Sequence, residues 1–249
     1  MTVLLLHSGG LTSRQWRKLG ELLAPRHRVI APDLLGYGAE RWPPGKPFHF
    51  RDDLAVLADL LDEPAHVVGH SYGGLLAFQL ALARPDAVRS IAVYEPVTFG
   101  ILDQPGDAAT RDAIGQLDAF RPDAGDDAAD AWLERFIDWW QGAGAWRALP
   151  PATRQAFLDV SWKLSQEVES LTADRTGRAR YATIAAPTLI LAGQRTHPSE
   201  LHVVQALAQA LPNATLRVFP DMGHMGPITH AAQVNAAIAA FLDSGAAAP

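Results

Sequence analysis

The hexapeptide Gly69-His70-Ser71-Tyr72-Gly73-Gly74 sets a serine between an apolar run, Ala65-His66-Val67-Val68, and a helix-like run, Leu75 to Leu82. Strand, sharp turn and helix in that order is the setting in which G-x-S-x-G works as a nucleophile elbow. A side chain thrust out at such a turn needs small neighbours, because the backbone passes close to adjacent strands and can take positive φ. The helix that follows turns its positive N-terminal end toward the serine, where an oxyanion could form. A bare Gly-rich turn with no chemistry is the alternative, and the flanking strand and helix weigh against it.

Short apolar runs recur along the chain and alternate with helical patterns. Strands are expected at 3–6, 28–31, 65–69, 88–94, 187–192 and 215–219. Helices are expected at 13–23, 50–61, 72–83, 200–211 and 231–242. This alternation predicts an α/β fold, a mostly parallel sheet of about six strands with helices on both faces. Residues 98–184 break the pattern. They hold no convincing strand, and Trp132, Trp139, Trp140, Trp146 and Trp162 all fall there. Helices are expected at 128–141 and 152–171, an exposed loop at 121–127, and a frayed tail at 246–249. The expected organisation is a core of 1–97 and 185–249 with a helical cap of 98–184 inserted. Some of the tryptophans are expected to line a ligand cavity, with the insert's own small core as the alternative.

A serine hydroxyl needs a base to take its proton, and neutral histidine is the usual one. Among nine histidines, His224 stands out. It lies in Gly223-His224-Met225-Gly226, after the last strand and before the last helix, on the same carboxyl rim as Ser71. His27 and His49 read as surface residues, His66 as strand, and His202 and His230 as helix. His70 flanks the serine and could shape the elbow. An oxyanion needs two donors. One is the N–H of Tyr72. The other is expected from His7-Ser8-Gly9-Gly10, with Gly9 preferred and Gly10 second.

The His-Ser-Gly-Gly loop, Asp33-Leu34-Leu35-Gly36-Tyr37-Gly38 after the second strand, the elbow and Gly223-His224 together resemble the α/β-hydrolase superfamily, specifically its capped serine hydrolases. The resemblance covers nearly the whole chain, in the order serine first and histidine last. It implies a cap inserted after the strand that ends near Glu95. The chain departs from the family pattern in three places. His-Ser replaces His-Gly, and the two strands that usually precede the first one here are absent. Thr196, in Gly193-Gln194-Arg195-Thr196, fills the usual slot of the triad acid, and it cannot carry a charge. Some relatives set the acid after the strand beside the nucleophile strand. That position here is Glu95, which is assigned the role, with Glu200 or an acid-free dyad as alternatives.

The function expected is a serine hydrolase that works through an acyl-enzyme on a small carboxylic ester, thioester or lactone with an apolar or aromatic part. Two alternatives are hydrolysis of a carbon–carbon bond in a β-diketone-like compound and a sensor that binds a small molecule without turnover. No cofactor or metal is expected. His66 and His70 are four apart on a strand rather than a helix, and the chain has no cysteine. A net charge of −6 gives no electrostatic case for nucleic acid or an anionic membrane surface, so the expected partner is a small-molecule substrate. Thr2-Val3-Leu4-Leu5-Leu6 is too short for a signal peptide and has no basic n-region, so the expected location is the cytoplasm.

Overall fold

The computed structural model describes residues 1–118 and 126–244. The expected loop at 121–125 and the tail at 246–249 lie outside the described residues. Six strands form one sheet: β1 (Thr2–Leu6), β2 (Arg28–Ile30), β3 (Ala65–His70), β4 (Val88–Tyr94), β5 (Thr188–Gly193) and β6 (Ala214–Phe219). Every pairing is parallel, in the order β2-β1-β3-β4-β5-β6. β1, β3 and β5 are buried along their whole length. Their mostly apolar character follows from being covered on both faces.

Alternate side chains of each strand feed two cores, as the period of two requires. The helices before the fourth strand are α1 (Arg17–Leu23, after a 3-10 turn at Ser13–Trp16), α2 (Phe50–Asp59) and α3 (Tyr72–Ala83). Between β4 and β5 come α4 (Ala108–Asp118), α5 (Asp126–Gln141), α6 (Ala145–Ala148), α7 (Pro151–Leu158), α8 (Ser161–Thr172) and α9 (Arg178–Tyr181). The chain ends with α10 (Pro198–Ala210), α11 (Gly226–Thr229) and α12 (Ala231–Asp243). Val3 and Leu5 of β1 pack with Leu19 and Leu23 of α1 and Val234 and Ile238 of α12. Leu4 and Leu6 pack on the other face with α2, α3 and α10. α3 is buried at nearly every position because α2 and α9 pack on it as well as the sheet.

Three details differ from the sequence reading. The run 152–171 is two helices rather than one. Phe157 and Val160 both turn into the core at the break, and no Gly or Pro marks it. α4, α6, α9 and α11 have no counterpart in that reading, and Asp126 and Asp127 open α5 instead of closing a loop. His230 sits between α11 and α12 rather than inside a helix.

One buried cation ties α8 to the sheet layers. Lys163 is 1% exposed. Its ammonium lies 3.2 Å from Asp53 Oδ2 on α2 and also pairs with Glu167 one turn along α8. The rings of Tyr37, Phe48 and Tyr72 surround it at 4.2, 4.2 and 5.0 Å. Tyr72 Oη donates to Asp53 Oδ2 at 2.8 Å, and Tyr37 Oη donates to Glu167 Oε2 at 2.7 Å. Removing the cation leaves two carboxyls facing each other out of water. Breaking a buried pair in this way typically costs about 3–5 kcal/mol. Lys163→Met should therefore lower the unfolding free energy from urea titration by about 3 kcal/mol. A change under about 0.5 kcal/mol would show that the cluster is not held by charge.

Candidate active site

β3 ends at His70 and α3 begins at Tyr72, so Ser71 alone makes the turn. Its φ of 53° and ψ of −114° are a strained conformation for a residue with a Cβ, of the kind that persists only where the surroundings enforce it. Contact with the backbone explains the glycines. A Cβ on Gly69 would strike the Gly73 carbonyl, one on Gly73 would strike the Leu6 and His7 carbonyls, and one on Gly74 would come within 2.7 Å of the Pro96 ring.

His224 Nε2 lies 3.0 Å from Ser71 Oγ, and His224 Nδ1 lies 2.7 Å from Glu95 Oε2. The structure thus brings His224 to Ser71 and Glu95, which lie 153 and 129 residues before it in the chain. Glu95 is fully buried and sits at φ 44°. Its other oxygen, Oε1, accepts the Gly193 N–H at 2.7 Å, and Oε2 also accepts the Thr196 hydroxyl at 2.8 Å. Thr196 is therefore a donor to the acid on the neighbouring strand. Asp221 pairs with Arg195 at 3.0 Å, away from the imidazole.

Glu200 is not brought to His224. It is fully buried on α10, and neither carboxyl oxygen has a partner among the described residues. Burial holds its carboxyl well above the usual carboxylate range, and the nearby Glu95 charge pushes the same way. A neutral acid cannot balance an imidazolium.

The loop after β1 is held by its own histidine. His7 Nε2 accepts the Leu34 N–H at 3.0 Å, so Nδ1 carries the proton and donates to Ser8 O at 2.8 Å. Burial pushes His7 down to about 4. The Ser8 N–H goes to Gln15 Oε1 at 3.0 Å. Among the described residues, no acceptor takes the N–H of Gly9 or of Tyr72. Sequence reasoning missed Gln15, which also donates through Nε2 to His70 Nδ1 at 3.1 Å. His70 Nε2–H then donates to the His224 carbonyl at 2.9 Å. Complete burial keeps His70 well below the ordinary histidine value, in the neutral form this bridge requires.

Above Ser71 lies a cavity walled mainly by apolar side chains of the insert, including Phe136, Ile137, Trp140, Leu164 and Val168. Trp140 stacks on the His224 ring, with centroids 3.9 Å apart and planes inclined 22°. Its neighbour Trp139 stacks in the same way on His197 at 3.8 Å. Trp140 lines the cavity, whereas Trp132 and Trp146 are buried without lining it. Glu167 is the only acidic residue among the described residues that line this cavity. Among the described residues, no group of three or more metal-ligating side chains is arranged to hold an ion, and no helix is long and apolar enough to cross a membrane.

The chain matches a family model, that of the alpha/beta hydrolase family, over residues 3–237. The chain belongs to this family. The pimeloyl-[acyl-carrier protein] methyl ester esterase of Chromobacterium violaceum is 30% identical over 98% of this α/β-hydrolase and 95% of that protein. The 2-hydroxymuconate semialdehyde hydrolase of a Pseudomonas species is 29% identical over 94% and 82%. A solved thermophilic esterase from Thermogutta terrifontis superposes with a TM-score of 0.72 and 26% identity, covering 99% of this chain and 91% of that one.

In this α/β-hydrolase, Glu200 gives a test of the buried acid. Unfolded, it ionises near about 4.5; folded, it holds its proton well above that. Folding therefore binds a proton, and the stability this contributes is present below about pH 4.5 and lost as pH rises. The gain in unfolding free energy of Glu200→Gln over the parent should grow from pH 4 to pH 7, at up to about 1.4 kcal/mol per pH unit. A gain that is flat with pH would mean that Glu200 is ionised in the folded protein.

Proposed function

We propose that this chain is a serine hydrolase of carboxylic esters. The observation that carries the reading is the continuous line from Ser71 Oγ through both nitrogens of His224 to Glu95. In this reading His224 takes the Ser71 proton as Oγ attacks a carbonyl, and Glu95 holds the imidazole in the Nδ1–H tautomer and balances the imidazolium. The Gly9 and Tyr72 N–H groups receive the oxyanion, which is consistent with their having no other acceptor. His224 then protonates the leaving alkoxide. Water, activated by the same histidine, releases the acid and restores Ser71.

The insert of 98–184 acts as a cap in this reading, and its apolar wall sets the preference for an apolar acyl or alcohol part. Thioesters and lactones fit the same chemistry. Trp140 adds to the base, since a ring face stacked on an imidazolium is worth about 0.5–2 kcal/mol once water is excluded. The wall also weighs between ester and carbon–carbon bond hydrolysis. A muconate carries a carboxylate, yet among the described residues no arginine or lysine lines the cavity. Lys163 already faces two carboxyls. A neutral ester fits this surface better.

The test is intact-protein mass spectrometry after brief exposure to a fluorophosphonate, followed by turnover of p-nitrophenyl butanoate. Wild type should gain one phosphonyl group, and Ser71→Ala should gain none and lose activity while staying folded by circular dichroism. A wild type that is folded but unlabelled and inert would favour a sensor that binds without turnover. Glu95→Gln should lower kcat by about 10³–10⁴-fold, while Glu200→Gln changes it little. The reverse pattern would transfer the acid's role to Glu200.

A further inference from the structure

Glu167 is an anomaly in the cavity wall. It is 1% exposed, it sits on α8 among Leu164, Val168 and Leu171, and a carboxyl in apolar surroundings is costly to keep. Packing alone would favour an apolar side chain there. The structure instead supports this carboxyl from behind. Lys163 pairs with Oε1, and Tyr37 Oη donates to Oε2 at 2.7 Å. The Lys163 ammonium is itself fixed by Asp53 and by three aromatic rings.

The position of Oε2 is specific. A Cβ built on Gly9 would lie 2.7 Å from it, so the carboxyl overhangs the backbone that offers the Gly9 N–H. A carboxylate oxygen has room for about two hydrogen bonds, and Tyr37 fills one on Oε2. The remaining one lies beside the place where the reacting carbonyl would bind. For a plain aliphatic ester this is unfavourable, because a negative carboxylate faces a developing oxyanion. For an ester whose acyl part carries a hydroxyl one or two carbons from the carbonyl, the hydroxyl reaches Oε2 while the carbonyl oxygen stays at Gly9 and Tyr72.

We propose that Glu167 is a specificity-determining residue that anchors a substrate hydroxyl, and that the preferred substrates are 2- or 3-hydroxyacyl esters. This rests on the ester-hydrolase reading above. Burial pushes Glu167 up to about 7, so the carboxyl sits near the balance point where a donor from the substrate favours its ionised, accepting form.

The test compares p-nitrophenyl 3-hydroxybutanoate with p-nitrophenyl butanoate. The chemistry and leaving group are the same, so the ratio of their kcat/KM values reads only the hydroxyl. Wild type should prefer the hydroxy ester by at least about tenfold, the range of a hydrogen bond to a charged group. Glu167→Met, which matches the volume, should bring the ratio to about one, and Glu167→Gln should fall between. Both variants leave Lys163 paired with Asp53, one cation against one anion, so neither strands a buried charge. A merely structural role for Glu167 would lower both esters together and leave the ratio unchanged, which would overturn the proposal. So would a wild type that turns over both esters equally while Ser71 is labelled by the fluorophosphonate, and in that case the hydrolase reading would stand. Failure to turn over either ester, with Ser71 unlabelled, would remove both.

Discussion

A single carboxylate at the end of β4 organises the rim of this sheet. Glu95 is held out of water and accepts from the Gly193 N–H, the Thr196 hydroxyl and His224 Nδ1. Those donors come from the end of β5, the turn beyond it and the loop after β6, so three segments take their positions from one side chain. The backbone contributes strain to achieve this. Both Glu95 and Ser71 lie at positive φ, each at an expense of order 1–3 kcal/mol. The Ser71 N–H donates to the Tyr94 carbonyl at 3.0 Å, and the Glu95 N–H donates to the Leu191 carbonyl at 2.9 Å. The two strained residues are thus fixed by bonds that continue the sheet.

The insert is joined to this rim by two unlike interactions. α8 is tied by charge, through Lys163 to Asp53, and the same aspartate holds the Tyr72 hydroxyl directly beside the elbow. α5 is tied by stacking, with Trp139 on His197 and Trp140 on His224. The first interaction is buried and fixed in direction by hydrogen bonds. The second is flat and tolerates sliding, which suits the part of the wall nearest the histidine.

Much of the frame was legible in the sequence, for physical reasons. Parallel strands covered on both faces must be largely apolar, so 65–70, 88–94 and 188–193 announce themselves. The elbow needs glycines where backbone meets backbone, and these are visible as letters. Glu95 was legible only through the family resemblance and its place after a strand. What it touches was not. Thr196 looked like a lost acid, yet its hydroxyl donates to Glu95. Gln15 and Glu167 carried no local signal, and nothing in the sequence singled out Trp140 among the tryptophans expected to line a cavity, because each acts on a residue far away in the chain and depends on packing. The break at 159–160 was silent for the same reason: burial of Phe157 and Val160 ends the helix, with no breaker residue present.

The bridge Ser8–Gln15–His70–His224 joins the loop after β1 to the loop after β6 through two neutral side chains. These loops come from opposite ends of the chain and would otherwise drift independently. Linked in this way they behave as one mechanical part, like two jaws on a common pivot seated on the elbow. Thermal motion that shifts the Gly9 backbone carries the His224 backbone with it. The spacing between the two sides of the cleft is therefore stiffer than either loop would be alone.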